Sequence, residues 1–413
     1  MSRNRSPQER ERRAWTAVAA WTAFIYLAVP FARKIQEAVD AQGGRRLFLW
    51  ITLLAFGMVA GAAIQAWRRG RWQATPAQWT ALATVLGLFT WLAWSLRANP
   101  EEAFHFVQYG GLGLLLFPAL AHRLADPSIY LAGALLGAAI GIGDELIQWL
   151  VPNRYFDYRD LGINAWAGAL AQAGLWAGIR PAGVRGGFSR RGTRWVCAAL
   201  AGNALLLLFC TQNTPAFQAA CARWLPPLAA VNESTAEYGY RIAAGTGTVF
   251  FSRLAPAELR RQDRERGDAA AQLIGRYRGD SAYLRFLREI PAHREPLAVE
   301  ARIHLFRRDR YAVDARHLPP GPHRQFSAEV AWREQQILTE WFPRTLAASP
   351  FAWPPAKTAQ MQARRGPPAP RYVSPVGRGM ITRASRRTLG LALAAVLVAA
   401  LAGERAAARR QPP

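Results

Sequence analysis

The chain has 413 residues, a formal net charge of +25 and a hydrophobic content of 51%. Nearly all of the positive charge is arginine, because Lys34 and Lys357 are the only lysines, and no basic stripe is interleaved with base-stacking aromatics. This pattern argues against a nucleic-acid partner. Binding to anionic membrane lipids needs less specificity and stays compatible with the charge.

Apolar runs separated by short, mostly basic loops fill the first half of the chain, after a basic leader at 1–13. Most are close to the roughly 20 residues that a membrane-spanning helix needs. We therefore predict a transmembrane bundle at 14–210, with seven spans at 14–29, 47–67, 79–96, 104–120, 129–150, 161–178 and 195–209. A weaker run at 388–402, within the tail 388–413, either spans or lies at the interface.

The region 211–348 is polar, and its apolar residues recur at helical spacing, so it is predicted to be a mainly helical domain. A short run at 247–251 is read as a strand or an interfacial hook. The region 349–387 is rich in Pro and Arg and is predicted to be an extended linker. Cys210 and Cys221 are either a disulfide pair or free thiols. The fold class is thus all-α, a polytopic bundle of seven or eight spans with an extracytoplasmic helical domain.

The orientation follows from the loop charges. The leader, the second loop and the sixth loop are rich in arginine, and alternation places them on one side, which the positive-inside rule makes cytoplasmic. The first loop, with Arg33, Lys34, Arg45 and Arg46, argues the other way. We therefore expect a bacterial inner-membrane protein whose 152–160 connection and large polar domain face outward.

Charged residues interrupt the apolar pattern between Gly143 and Gly168. Asp144, Glu145 and Gln148 fall in the last turns of the fifth predicted span. A carboxylate within a span costs at least ~2.5 kcal/mol, so it indicates a functional site.

Helical spacing brings other polar residues to the same depth. Asp160 and Asn164 recur every four residues with Gly168 on the next helix, and Gly168 suggests a close helix approach there. His105 and Tyr109, also four apart, enter from the same side. Arg154 and Asp157 lie in the connecting loop. We predict that these groups form one pocket.

Such a pocket offers acid–base groups and a cation for phosphate or carboxylate. Burial in an apolar run should disfavour the charged form of Glu145. Glu145 and His105 are the catalytic candidates, and the ligand-binding candidates are Tyr109, Asp144, Gln148, Arg154, Asp157, Asp160 and Asn164. A purely structural interpretation also stands: Asp160 caps the helix near Leu161, Arg154 pairs with Asp157, and Asn164 bonds across helices.

Metal binding is not predicted. The histidines of the polar region, His293, His304, His317 and His323, lack a convincing ligand spacing, and no cofactor motif is present.

These residues carry a resemblance. The pattern His105-x-x-x-Tyr109, Asp144-Glu145-x-x-Gln148, Pro152-x-Arg154-x-x-Asp157-x-x-Asp160 and Asn164-x-x-x-Gly168 resembles the VanZ-like family of bacterial membrane proteins. It is specific over 104–175. The resemblance implies a role at the cell envelope and in susceptibility to glycopeptides such as teicoplanin. Asn153 stands where the family commonly has Gly, and the region from Thr211 onward is not part of the pattern.

Two functions follow as hypotheses. In the first, the pocket at the outer face binds an anionic envelope or lipid-linked molecule, with membrane lipid or a cell-wall intermediate as partner; the residues leave open whether that molecule is also modified. In the second, the chain is a non-catalytic scaffold or sensor. Its polar residues then stabilise the bundle and its outer domain binds partners.

Overall fold

A computed structural model describes residues 6–44, 46–97, 99–151, 156–213, 215–226, 237–238, 240–290, 292, 294–367, 371–376, 381–382 and 386–409. The chain divides into two compact units. Unit 1 contains residues 1–212 and 390–413, and unit 2 contains residues 213–389.

All regular secondary structure in the described residues of unit 1 is helical. Its α-helices are α1 (Pro7–Ala28), α2 (Ala32–Gly43), α3 (Arg46–Arg68), α4 (Pro76–Ser95), α5 (Phe104–Leu120), α6 (Ser128–Leu150), α7 (Tyr158–Ala173) and α8 (Arg190–Cys210), with a last helix, Arg386–Arg409, after unit 2. Single 3-10 turns at Val29–Phe31 and Pro100–Ala103 join neighbouring helices, and α7 continues as a π-helix over Gly174–Ile179. The helix α2 is new, because the sequence was read there as a loop.

Six helices in the described part of the chain are long and apolar enough to cross a membrane. They confirm an integral membrane bundle, and they include the helix Arg386–Arg409, which was left open from the sequence. Helices at the other two predicted spans, α4 and α7 with its π-helical extension, form where expected but are not among the six.

The helix α5 lies at the centre of unit 1, packed against α1, α6 and α7. Its approach to α7 is close at Gly113, where an added Cβ would lie 2.9 Å from the Cβ of Ala171 and 3.2 Å from the carbonyl oxygen of Gly168. The sequence predicted this close approach at Gly168, whose Cα would lie 3.5 Å from the Cβ added at Gly113. A Cβ added at Gly168 would meet its nearest atom only at 4.0 Å, so the missing side chain that matters is on α5.

One end of unit 1 gathers the basic segments. Arg123, in the loop after α5, forms an ion pair with Glu11 of α1 at 2.8 Å. Asp126 accepts a hydrogen bond from Ser189, just before α8, at 2.6 Å. The leader and the loop before α8 therefore lie at the same end of the bundle, which we call the basic end.

The second loop lies at the basic end as well. Gln78, in the first turn of α4, donates a hydrogen bond to the carbonyl oxygen of Ile179 at 3.5 Å. Because Ile179 directly precedes the loop to α8, the loop between α3 and α4 is also placed there. All three basic segments that were assigned to one side from the sequence thus meet at one end.

At the opposite end, α5 begins, α6 ends and α7 begins. We call it the cluster end, because the charged residues of 143–168 lie there. The α8 C-terminus also lies at the cluster end, since the rings of Trp149 and Phe209 are 6.0 Å apart.

Unit 2 contains both helices and strands. In chain order it comprises α9 (Pro215–Trp224), β1 (Glu237–Tyr238), β2 (Tyr240–Ala244), β3 (Thr248–Ser252), α10 (Pro256–Gly275), α11 (Asp280–Glu289), α12 (Pro296–His317), α13 (Pro322–Trp341), α14 (Pro343–Ala348), α15 (Pro355–Ala363), β4 (Tyr372–Val373) and β5 (Ile381–Thr382). The last helix of unit 1, Arg386–Arg409, is α16.

The sheets of unit 2 correct the all-α prediction in detail. The antiparallel pair β2–β3 is extended by β4, parallel to β3, while β1 and β5 form a separate parallel pair. The 247–251 run is a strand, as one of its two interpretations held. Phe250 is fully buried in a core shared by α10, α12, α13 and α14.

The segment 349–387 is not an extended linker in its described residues. It forms the helix α15, whose Met361 is fully buried, and the strand β4. Proline at the start of α15 is compatible with helix, because the first turn leaves its N–H groups unpaired anyway. The Pro- and Arg-rich segment that was predicted to be a linker therefore forms short secondary-structure elements that belong to unit 2. Cys197, Cys210 and Cys221 are free thiols, so the predicted disulfide alternative is wrong.

An antiparallel pair of helices brackets unit 2. Arg194 of α8 is paired with Glu404 of α16 at 2.7 Å, and Arg190, one turn earlier in α8, donates to the carbonyl oxygen of Ala408, one turn later in α16. The two helices therefore run in opposite directions, and the start of α8 lies beside the end of α16.

Candidate functional site

The central contact of the site joins α5 to α6. Tyr109 donates a hydrogen bond from its hydroxyl to Oδ2 of Asp144 at 2.9 Å, and both side chains are buried. The small residue Gly141 makes room, because an added Cβ there would lie 3.4 Å from the Tyr109 ring and 2.9 Å from Cβ of Asn164. Three helices thus meet at Tyr109.

Glu145 links the end of α6 to the start of α7. Its Oε1 accepts a hydrogen bond from Gln148 at 2.7 Å, and its Oε2 accepts one from the backbone N–H of Asp157 at 2.9 Å. The carboxyl group is fully buried. The predicted common face of Glu145 and Gln148 is confirmed.

The helix α7 is capped by Asp157, whose side chain accepts a hydrogen bond from the backbone N–H of Arg159 at 2.8 Å. Sequence reasoning gave this role to Asp160, which instead lies in the first turn and is half-buried.

His105 extends the site along α5. Its ring stacks on Tyr109 with centroids 6.1 Å apart and planes 11° from parallel, which confirms that the two share a face. His105 is half-buried, whereas Tyr109 is 1% exposed. His105 therefore lies between the buried groups and the end of the bundle.

Asn164 is the residue whose environment is hardest to explain by packing. It is fully buried, and neither its amide nitrogen nor its carbonyl oxygen has a hydrogen-bond partner among the described residues. A buried amide without partners costs free energy, so it calls for a specific explanation. The structural alternative, a hydrogen bond across helices, is not made within the described chain. We call Tyr109, Asp144, Glu145, Gln148 and Asn164 the polar cluster.

The described charges around the polar cluster are mostly negative. Asp144, Glu145 and Asp160 are acidic, and Arg159, beside Asp160 in the first turn of α7, is held by both oxygens of Glu102 at 2.6 and 3.1 Å. Arg154, the predicted cation, lies outside the described residues, as do Pro152 and Asn153. The exposed Arg159–Glu102 pair was not foreseen, although their positions at two helix starts could have suggested it.

Tyr26 is a second unforeseen contributor. Its hydroxyl donates to the carbonyl oxygen of Ile140 at 2.9 Å, where Gly143 leaves the space: an added Cβ would lie 2.3 Å from the Tyr26 oxygen. This contact fixes α1 against α6 just before Asp144. Nothing in the local sequence of Tyr26 indicates it.

Unit 2 has a buried ionic network of its own. Glu334 of α13 lies 2.5 Å from Nδ1 of His304 and accepts hydrogen bonds from Tyr372 at 2.6 Å, Ser374 at 2.8 Å and Arg307 at 3.0 Å. Burial raises the pKa of Glu334, but His304 and the two hydroxyls outweigh burial and hold the pKa below its usual value. His304 was considered from the sequence as a metal ligand. It is instead bonded to a carboxylate, and the described residues contain no group of three or more side chains suited to a metal.

These features define a polytopic helical membrane protein with a buried polar cluster at one end of the bundle, where three helix ends converge. Residues 14–180 match the family model described as VanZ/LLP1. The predicted VanZ-like resemblance is thereby confirmed for this part of the chain, which is similar to that family. The match covers α1 to the end of α7 with its π-helical extension and includes every residue of the polar cluster. No curated protein and no solved structure matches the chain.

Proposed function

We propose that the polar cluster binds the headgroup of an anionic envelope or lipid-linked molecule at the outer membrane face. Glu145 and His105 are the groups placed to exchange a proton with that headgroup. The observation that carries the proposal is Asn164, a fully buried amide with both polar atoms unbonded in the described chain, beside Tyr109. A ligand that supplies a donor and an acceptor would offset its desolvation.

The charge balance narrows the headgroup. Carboxylates accept hydrogen bonds, so Asp144 and Asp160 suit hydroxyl or amide groups, while an arginine such as Arg159, near the start of α7, suits phosphate. A headgroup that combines a phosphate with hydroxyl or amide groups matches both the carboxylates and the arginine, whereas a bare phosphate matches only the arginine. Lipid-linked sugar or peptide intermediates of the cell wall have this chemistry.

The orientation supports an outer-face site. Three basic segments meet at the opposite end of the bundle, and the positive-inside rule places such an end in the cytoplasm. The polar cluster then lies near the outer leaflet, and unit 2, which follows α8 at the cluster end, is extracytoplasmic. The basic first loop, near the start of α3, is the opposing feature.

Glycopeptide susceptibility provides the test, because the VanZ-like resemblance implies it. Wild type, Glu145→Gln and Asn164→Leu are expressed in a glycopeptide-sensitive bacterium, and the inhibitory concentration of teicoplanin is measured beside membrane abundance. We expect both variants to lose the effect of the wild type at unchanged abundance. Full retention of the effect by Glu145→Gln would refute the proposal.

Asn203→Leu is the matched control. Asn203 is also a buried amide in a helix, but its nitrogen donates to the carbonyl oxygens of Leu135 at 2.9 Å and Ala199 at 2.8 Å. Its loss should lower abundance rather than activity. The contrast between the two asparagines separates a binding role from a packing role.

A second candidate function has one observation in its favour. Both oxygens of Glu145 are engaged by the chain itself, so Glu145 also serves to hold α7 against α6. In this alternative the polar cluster only stabilises the bundle, and unit 2 is a sensor or scaffold that binds partners. Glu145→Gln would then reduce abundance and activity in parallel.

A further inference from the structure

An apolar cavity of about 400 Å³ lies inside unit 1, separate from the residues of the polar cluster. Its walls come from α1, α3, α4, α5 and α7. The side chains that bound it include Phe56, Val59, Val85, Phe89, Phe106 and Leu114. This volume falls in the range of about 300–1,000 Å³ that is typical of small-ligand sites.

Neither water nor empty space explains the cavity well. Water in a protein interior needs two to four polar partners, and the lining residues are apolar except for the indole nitrogen of Trp21, which is already bonded to the carbonyl oxygen of Gln108 at 2.8 Å. Leaving so large a space empty would forfeit the dispersion contacts that stabilise a packed interior. The occupant should therefore be apolar.

The cavity is open at the surface of the bundle. Val59 of α3 and Leu114 of α5 line it and are 43% and 41% exposed. Both belong to helices that are long and apolar enough to cross a membrane, so the opening faces hydrocarbon. Lipid chains are the apolar matter present at that surface.

The size of the cavity limits what enters. Along α5 it extends from Phe106 to Leu114, a distance of about 12 Å at 1.5 Å per residue. This is less than one leaflet of a hydrocarbon core that is about 30 Å thick. A segment of one acyl chain fits this length.

We propose that this cavity is a binding site for one acyl chain of a membrane phospholipid, which enters past Val59 and Leu114. The lining offers no polar contact, so the site selects the chain and not the headgroup. It is independent of the polar cluster, and the bound chain completes the packing between α3, α4 and α5.

Photo-crosslinking tests this directly. The full chain is reconstituted in phosphatidylcholine vesicles that contain a phosphatidylcholine with a diazirine in the middle of one acyl chain, and labelled peptides are mapped by mass spectrometry. Ala63→Phe and Ala55→Phe fill the cavity from α3. Ala83→Phe is the matched control, because Ala83 is exposed on α4 and does not line the cavity.

The expected result is labelling concentrated in the cavity-lining turns of α3, α4 and α5, and reduced about twofold or more by either filling variant, since the added phenyl ring takes up part of the space and the cavity cannot expand without cost. Labelling should be unchanged in Ala83→Phe, and unchanged with phosphatidylglycerol as the probe.

Equal labelling of wild type and of both filling variants, each of them monodisperse and helical, would overturn the proposal. So would labelling spread evenly over all exposed helix faces. Failure of the teicoplanin experiment alone leaves these expectations intact, so the two proposals fail separately.

Discussion

Replacing Tyr372 by Phe should loosen unit 2 by an amount that the buried network of Glu334 sets. The substitution removes only a hydroxyl, which donates to Oε1 of Glu334 at 2.6 Å. Glu334 is fully buried and cannot turn to water for a replacement donor. Ser374 and Arg307 still donate to the same oxygen, so the carboxylate loses one hydrogen bond and keeps the others.

The magnitude follows from the charge on the acceptor. A hydrogen bond to a charged group contributes about 1.5–3 kcal/mol, and two remaining donors favour the middle of that range. We expect the free energy of local opening around α12 and α13 to fall by about 2 kcal/mol. Since 1.4 kcal/mol is a factor of ten, amide exchange there should accelerate about 30-fold.

Hydrogen exchange of the full chain in detergent, followed by mass spectrometry, measures this opening. Tyr277→Phe is the matched control. Its hydroxyl donates to Glu289 at 2.7 Å, the same chemistry in an exposed pair, and water replaces such a bond at little cost. We expect little change there. Equal exchange in wild type and Tyr372→Phe would refute the claim that burial makes this network strong.

Three further outcomes are expected. Because the folded-state pKa of Glu334 is lowered, the stability that its carboxylate contributes is complete above the ordinary pKa of about 4.3 and is lost as pH falls through the folded-state pKa. The difference in amide exchange of α13 between wild type and Glu334→Gln should therefore be present at pH 7 and vanish at low pH. A difference that grows on acidification would show the opposite sign of this pH dependence. Gly113→Ala should lower the thermal midpoint in detergent by overpacking worth about 1–3 kcal/mol, while Gly61→Ala, which meets nothing within 4 Å, should not; equal midpoints would show that α5 and α7 can separate freely. In a background without the native cysteines, Asp157→Cys should react with an impermeant maleimide in intact cells and Arg71→Cys should not, and labelling of Arg71→Cys alone would invert the orientation.

Local signals in the chain predicted the long helices of unit 1 well. Apolar runs of span length, interrupted at charged loops, are a property of adjacent residues, so five of the six candidate spans and the helices at two further positions could be placed. The sixth candidate, Arg386–Arg409, was left open from the sequence. The face shared by Glu145 and Gln148, and that shared by His105 and Tyr109, followed from helical periodicity alone. The function assigned to these residues remains a prediction.

What failed depended on choices between neighbouring residues or on distant contacts. Asp157 and Asp160 are both of a residue type that favours helix N-caps. Only the structure shows that the backbone N–H of Arg159 donates its hydrogen bond to Asp157. Gly113 carries no polar signal, so its contact with Ala171 is visible only in the packed bundle.

Unit 2 shows the same limit more strongly. The Glu334 network draws on α12, α13 and β4, and Tyr372 lies in a segment whose proline and arginine content suggested a linker. Composition describes what a segment does alone in water. Composition does not show that the hydroxyl of Tyr372 bonds this segment to a buried carboxylate of another element.

Unit 2 is an insertion between α8 and α16, two antiparallel helices of unit 1. A chain that leaves by one helix and returns by its antiparallel neighbour closes on itself, so the inserted residues can change in number with a loop-closure cost that grows only slowly. The bundle of unit 1 can therefore accept changes in the length of unit 2 while its own helices keep their partners.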